Sequence, residues 1–343
     1  MAKHEVRINL RKTLISVAIL VVIVLLALVL LARQNLSEIL HTLQNANGLF
    51  VVLAVGVYVF SISLWATRWK IAISATSHNA GLWTLFLSVW GSVFVNNVTP
   101  FTYSGGDPFA RTYLLKKLTR TPYSSGFAAI TGEFLLDLPV FLSFMVAGLL
   151  LSFRWISTSI ALLLLGIWFA VVTVVLPLSP RILRRRVAAG KISGFAHRIA
   201  KLFRMKTTKA KMVREVEHFY EGACHILQGK KRVLSMVSIS LTLWILIMIR
   251  FFLIFQALGY TPSIQMLMLA ATLPQFVGLI PLLPGGLGTV DAAFFFIYTG
   301  FGVPTGLALS AILIERAITY VLGTLIGAGA LSYLGISIWM KKK

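Results

Sequence analysis

The chain has 343 residues, 58% of them apolar and 12% charged, with a mean hydropathy of +0.87 and a formal net charge of +22. A soluble protein of this size needs far more polar surface, so composition excludes that class and points to a polytopic membrane protein. The apolar runs lack the alternation of an outer-membrane barrel, and a single cysteine, Cys224, excludes an internal disulfide and argues against a Cys/His metal site.

The first apolar run, Leu14 to Leu31, is too long for a signal-peptide h-region and meets Arg33 without a small-residue cleavage site. It reads as a retained helix over about 14–32. Lys3, Arg7, Arg11 and Lys12 place the N-terminus in the cytoplasm by the positive-inside rule. A second span, about 49–71, returns to Arg68 and Lys70. The next run, WTLFLSVWGSVFV, stops early at Asn96, Asn97, Pro100, Gly105, Gly106, Asp107 and Arg111. The basic residues that follow (Arg111, Lys116, Lys117 and Arg120) are again cytoplasmic, so segment 82–117 enters, breaks and turns back.

Spans at about 125–151 and 155–178 lead out and return to a basic loop, 179–232, holding fifteen Lys/Arg against three Glu. An anionic inner leaflet attracts such a loop, and this topology accounts for the charge without nucleic acid. Met212, Val216, Phe219, Ala223 and Ile226 recur within it at helical spacing, giving an amphipathic helix for the leaflet surface or for packing on the protein's own helices. A span at about 233–258 then exits. Three apolar pieces remain, about 265–283, 291–302 and 305–338, and Lys341, Lys342 and Lys343 put the C-terminus inside. The first two are parted by PLLPGGLGTVD, and the middle piece is too short to span about 30 Å. They read as a second hairpin entering from outside, before a last inward crossing. Trp69, Trp83 and Trp155 read as interfacial anchors.

The two interruptions look related. Arg68 precedes Glu133 by 65 residues, and Arg250 precedes Glu315 by 65. Gly105-Gly106 and Gly285-Gly286 fall between them. The spans bearing Arg68 and Arg250 run in opposite directions, which makes the halves (about 49–178 and 233–338) an inverted-topology repeat. The expected architecture is a single all-α integral membrane domain over 1–343, with about six transmembrane helices and two oppositely oriented re-entrant hairpins. Broken backbone in hydrocarbon leaves polar groups unpaired unless it faces protein or a wet cavity. Two breaks entering from opposite faces would meet near mid-membrane. Their glycines permit close approach, and their half-helix N-termini suit an anion such as phosphate.

Asp107, Glu133, Asp137, Asp291 and Glu315 lie in or beside these motifs, half of the ten acidic residues in the chain. An ionised side chain at mid-bilayer costs at least about 2.5–3.5 kcal/mol, so each needs a partner or a cavity. Glu133 and Asp137 share one helix face and repel unless one is protonated or Arg intervenes. Arg68, Arg111, Arg250 and Arg316 are the available cations, and the guanidinium fork suits both carboxylate and phosphate. The plainer readings are snorkelling for Arg68 and Arg250, a buried pair for Glu315 and Arg316, helix capping for Asp107, and backbone satisfaction for Asn96 and Asn97.

No HExxH, GxSxG, Walker or zinc-ligand pattern appears, so neither a catalytic residue nor a metal or other cofactor is expected. The combination Asn97, Pro100, Gly106-Asp107, Arg111, then Glu133 and Asp137, then Pro281, Pro284-Gly285-Gly286, Gly288, and finally Arg316, Tyr320 and Gly323 resembles a known family. It is similar to the transmembrane, flippase-like region of lysylphosphatidylglycerol synthases and their stand-alone relatives, over about residues 10–338. Two positions depart from that pattern: Phe134 stands where relatives often carry Arg, and Asp291 where many carry Glu. The resemblance implies movement of polar lipids between leaflets. The synthase chemistry belongs to a separate soluble domain and is not implied for a chain that reads as ending at Lys343.

The expected function is therefore a lipid transporter of the cell (cytoplasmic or inner) membrane, taking a phospholipid or lipid-linked glycan headgroup, with oligomerisation possible. The expected binding residues are Arg68, Asn97, Pro100, Gly105, Gly106, Asp107, Arg111, Glu133, Asp137, Arg250, Pro284, Gly285, Gly286, Gly288, Asp291, Glu315 and Arg316. A membrane-embedded transferase or hydrolase acting on a lipid-linked substrate is the alternative, as is a non-transporting partner subunit of a lipid-modifying enzyme.

Overall fold

The structure is a computed structural model and describes residues 36–76, 78–99, 106–153, 159–160, 163–164, 166–168, 226, 229–278 and 284–340. The helix expected at about 14–32, most of that at 155–178 and nearly all of the basic loop lie outside these residues, as do Pro100, Gly105, Trp155 and Pro281. Among the described residues the regular structure is helical. The elements are α1 (Leu36–Gln44), α2 (Gly48–Ser74), α3 (Leu82–Val98), α4 (Gly106–Thr119), α5 (Tyr123–Ser152), α6 (Lys230–Ala257), α7 (Ile264–Gly278), α8 (Thr289–Gly300), α9 (Thr305–Arg316) and α10 (Gly323–Met340). A 3₁₀ turn, Pro284–Gly286, precedes α8, and a π-helical stretch, Ala317–Leu322, joins α9 to α10.

Four of these segments are long and apolar enough to cross a bilayer: α2, α5, α6 and the run Thr305–Gly335 formed by α9, the π stretch and most of α10. The protein is an integral multi-pass membrane protein. α3 and α7 are apolar but only 17 and 15 residues long. Each is followed by a break and a second short helix, α4 or α8, as the early stops in the sequence lead one to expect.

The halves pack crosswise. α2 and α6 lie antiparallel at the centre: Asn47 N donates to Ala257 O at 2.8 Å at one end, and Arg68 reaches Ser240 further along. Outside them, α3 of the first half packs on α10 of the second. A Cβ on Gly327 would lie 2.4 Å from the carbonyl oxygen of Trp90, and one on Gly323 would lie 3.2 Å from Val93. In the matching place α5 packs on α7. Phe141 meets Phe276 with ring centroids 5.0 Å apart, and a Cβ on Gly148 would lie 2.9 Å from Leu269. Small residues at both crossings let backbones approach where lipid gives no hydrophobic drive for helices to associate. The short helix α3 thus packs on α10, and the short helix α7 on α5.

Trp83 is exposed, in keeping with an interfacial anchor. Trp69 is not one: it is fully buried, beneath the Arg111 guanidinium.

Candidate functional site

The first break is braced by its two asparagines. Asn96 Oδ1 accepts from Asp107 N at 2.9 Å, which ties the end of α3 to the start of α4 across the interruption. Asn97 turns the other way. Its Nδ2 donates to Thr319 O, Tyr320 O and Thr324 Oγ1 at 3.0–3.3 Å, and its carbonyl oxygen accepts from Tyr320 Oη at 3.0 Å. Thr319 and Tyr320 belong to the π-helical stretch, whose widened turn frees carbonyls from the ordinary i→i+4 ladder. The side chain of Asn97 satisfies them.

The second break meets the first at this point. Gly285 N approaches Thr99 O at 3.4 Å, and a Cβ on Gly285 would fall 2.1 Å from the Tyr320 ring and 3.1 Å from Asn97 O. Gly285, Gly286 and Gly288 have φ of 64°, 67° and 76°, the left-handed region that side chains avoid. Pro284 opens the turn, and Asp291 closes it by accepting from Gly288 N at 2.9 Å through Oδ2.

All four arginines are buried, two of them against residues of the breaks. Arg316 donates from Nε to Asp291 Oδ1 and from Nη1 to Gly285 O at 3.2 Å, so it grips the second break directly. Its sequence neighbour Glu315 faces elsewhere and holds Arg250 at two points, 3.1 and 2.8 Å. In the first half Arg111 donates to Asp107 Oδ2 from both Nε (3.0 Å) and Nη2 (2.7 Å), and to Glu133 Oε2 from Nη1 at 2.7 Å. Its guanidinium carbon lies 5.0 Å from the ring centroids of both Trp65 and Trp69, a cation–π seat. Arg68 donates from Nη1 to Asp137 Oδ1 at 2.6 Å and to Ser240 Oγ at 2.7 Å, while its Nε stands 3.5 Å from Glu133 Oε1.

The structure corrects four of the simpler readings. Arg68 and Arg250 do not snorkel; both are ion-paired and buried. Glu315 and Arg316 do not pair with each other. Asp107 lies in the first turn of α4 rather than ahead of it, and its carboxylate serves Arg111. Trp65, Trp69, Ser240 and Tyr320 also join the site. The Trp side chains were hidden by their type, which suits an interface as well as a buried cation, and Ser240 had no motif to mark it.

The halves match and differ in a definite way. Arg250 and Glu315 stand 182 positions after Arg68 and Glu133, and both pairs come together. By the same offset Arg316 corresponds to Phe134, whose place beside an acid Arg111 takes from another helix, and Thr319 corresponds to Asp137. Two cavities lie away from these charges. One of about 620 Å³ is lined by residues including Leu151, Gln265, Leu269 and Phe296, and one of about 380 Å³ by Ala66, Leu82, Trp83 and Phe86. Their linings are mainly apolar and carry no charged side chain. The buried charges lie instead in the packed ion pairs, and no cluster of metal ligands occurs among the described residues.

Residues 14–327 match the model of the family described as lysylphosphatidylglycerol synthase TM region. The chain belongs to that family. A UPF0104 membrane protein of Methanothermobacter thermautotrophicus is 32% identical over 331 residues, covering 94% of this chain and 96% of that relative. Similar proteins from Methanocaldococcus jannaschii (26% identical; 95% and 97% covered) and Pyrococcus horikoshii (24%; 90% and 94%) carry the same description. No solved structure matches. The family match spans both breaks and all four arginines, so the paired halves belong to the matched region as a whole.

Proposed function

We propose that this protein binds the phosphate-bearing headgroup of a polar or glycosylated membrane lipid where its two helix breaks meet, and passes it between leaflets. In this reading the chain crosses about six times, and the breaks are tips of re-entrant hairpins entering from opposite faces. Both termini and the basic loop then lie on the cytoplasmic side of the cell membrane, with the loop against anionic lipid.

One observation carries the proposal: four guanidinium groups, Arg68, Arg111, Arg250 and Arg316, are buried within the helices, with Arg316 bound to Gly285 of the second break and Arg111 to Asp107 at the start of the helix after the first. Burying them is costly unless they are paired or used, and their fork geometry fits phosphate. The N-termini of α4 and α8, at Gly106 and Thr289, add backbone N–H groups and positive dipole ends. Each guanidinium is held by a carboxylate in this structure, so headgroup entry is an exchange of acid for phosphate. Asp107, Glu133, Asp137, Asp291 and Glu315 then set selectivity by how readily they release their arginines.

Purified protein in proteoliposomes should move labelled headgroups across the bilayer, and Asp107→Asn or Arg111→Ala should abolish that movement. Rates equal to those of empty liposomes for anionic, cationic and polyprenyl lipids would refute transport.

A further inference from the structure

The two arginine–glutamate pairs are related by the repeat, yet they are not built alike. In the second half Arg250 gives Glu315 two hydrogen bonds. In the first half Arg68 is drawn off its glutamate by Asp137, which takes the 2.6 Å bond. Arg68 Nε is left 3.5 Å from Glu133 Oε1, and neither atom has a hydrogen-bond partner. Glu133 is 2% exposed, so its orphaned oxygen is shut away from bulk water. The disturbing residue is the one that the repeat lacks, since Thr319 stands at the place corresponding to Asp137.

Charge points the same way. Among the described residues the second-half cluster holds Arg250 and Arg316 against Asp291 and Glu315 and is neutral. The first-half cluster, among the described residues, holds Arg68 and Arg111 against Asp107, Glu133 and Asp137, one negative charge in excess. The charged groups facing Glu133 among the described residues are Arg68 from α2, Asp107 and Arg111 from α4, and Asp137 on its own helix. The side chain that α6 brings to Arg68, Ser240, carries no charge. An uncompensated charge in such a place is expensive, and uptake of one proton removes it. A bound metal cation would need a fuller set of oxygen ligands than the two orphaned carboxylate oxygens here, Asp107 Oδ1 and Glu133 Oε1.

From this geometry we infer that Glu133 and Asp137 form a binding site for one exchangeable proton, with Arg68 as the switch between them. Asp137 is the entry: its side chain is 25% exposed, against 2% for Glu133. A hydronium ion in the aqueous phase gives its proton to the Asp137 carboxylate and leaves as water. The Arg68–Asp137 ion pair is lost, and Arg68 turns to Glu133 in the two-point geometry that Arg250 and Glu315 already hold. Loss of the proton reverses the exchange. The site is a property of the folded protein whether or not a lipid is carried. If the transport reading also holds, proton and headgroup compete for the same arginine-bound carboxylates and are linked reciprocally.

Infrared difference spectroscopy of the protein in lipid nanodiscs, stepped between acid and alkaline buffer, tests this directly. The wild-type protein should show a protonated-carboxyl carbonyl band with the intensity of one group, shifted by deuterium oxide. Asp137→Thr copies the second half and leaves a neutral cluster, so it should fold and lose the band; Asp137→Asn should do the same. No such band in the folded wild type, or a band that survives in both variants, overturns the assignment. Because no lipid movement is measured, failure here is distinguishable from failure of the transport reading.

Discussion

At the scale of single residues, the protein depends on ion pairs that are expensive to break. Arg250 is 8% and Glu315 5% exposed, and among the described residues each is the other's ion-pair partner. Glu315→Gln should therefore destabilise the protein by about 3–5 kcal/mol, because a guanidinium is left buried without its anion. Replacing both, as Arg250→Met with Glu315→Met, should recover most of that loss, since neither charge of the pair is then left without its partner. Denaturant unfolding in mixed micelles measures both variants, and equal losses in the single and double variants would contradict the pairing. The 65-residue spacing of Arg and Glu was legible in the sequence, and so was the need for cations beside Glu133 and Asp137. The separate partners of Glu315 and Arg316 were not. Adjacent residues on a helix project about 100° apart, so neighbours in sequence face different helices. Only the tertiary structure shows that one meets α6 and the other meets the second break.

At the scale of elements, the fold turns on close helix crossings and on the π-helical stretch. Gly327 packs against the backbone of α3, where an added Cβ would lie 2.4 Å from Trp90 O. Gly327→Leu should force α3 and α10 apart and destabilise by about 1–3 kcal/mol. Gly329, with nothing within 4 Å of an added Cβ, should tolerate Leu; thermal unfolding of the two variants separates the cases. The breaks themselves were visible in the sequence, because Pro and paired Gly have few other uses within an apolar run. The crosswise exchange of α3 and α7 between halves left no local trace, since Gly91, Gly148 and Gly327 look alike as isolated letters and differ only in what they touch. The π stretch was equally hidden. AITYVL is ordinary helical sequence, and its widened turn is held by Asn97 from more than two hundred residues away.

For the whole molecule, the account rests on two interruptions from opposite halves converging inside one membrane protein. Contacts from Asn97 to Tyr320 and from Thr99 to Gly285 bring them together, and Arg316 holds the second interruption through Gly285 O. The family match covers both interruptions, so the arrangement is a property of the matched region rather than an addition to it. Cross-linking in native membranes tests the convergence most directly. With Cys224 replaced by Ser the chain has no cysteine, and Thr99→Cys can be paired with Leu287→Cys in that background. A short bifunctional thiol reagent should join the two positions within one chain. If instead each cysteine reacts freely with a membrane-impermeant reagent, from opposite sides, and no cross-link forms, the breaks do not meet and the site built on them does not exist.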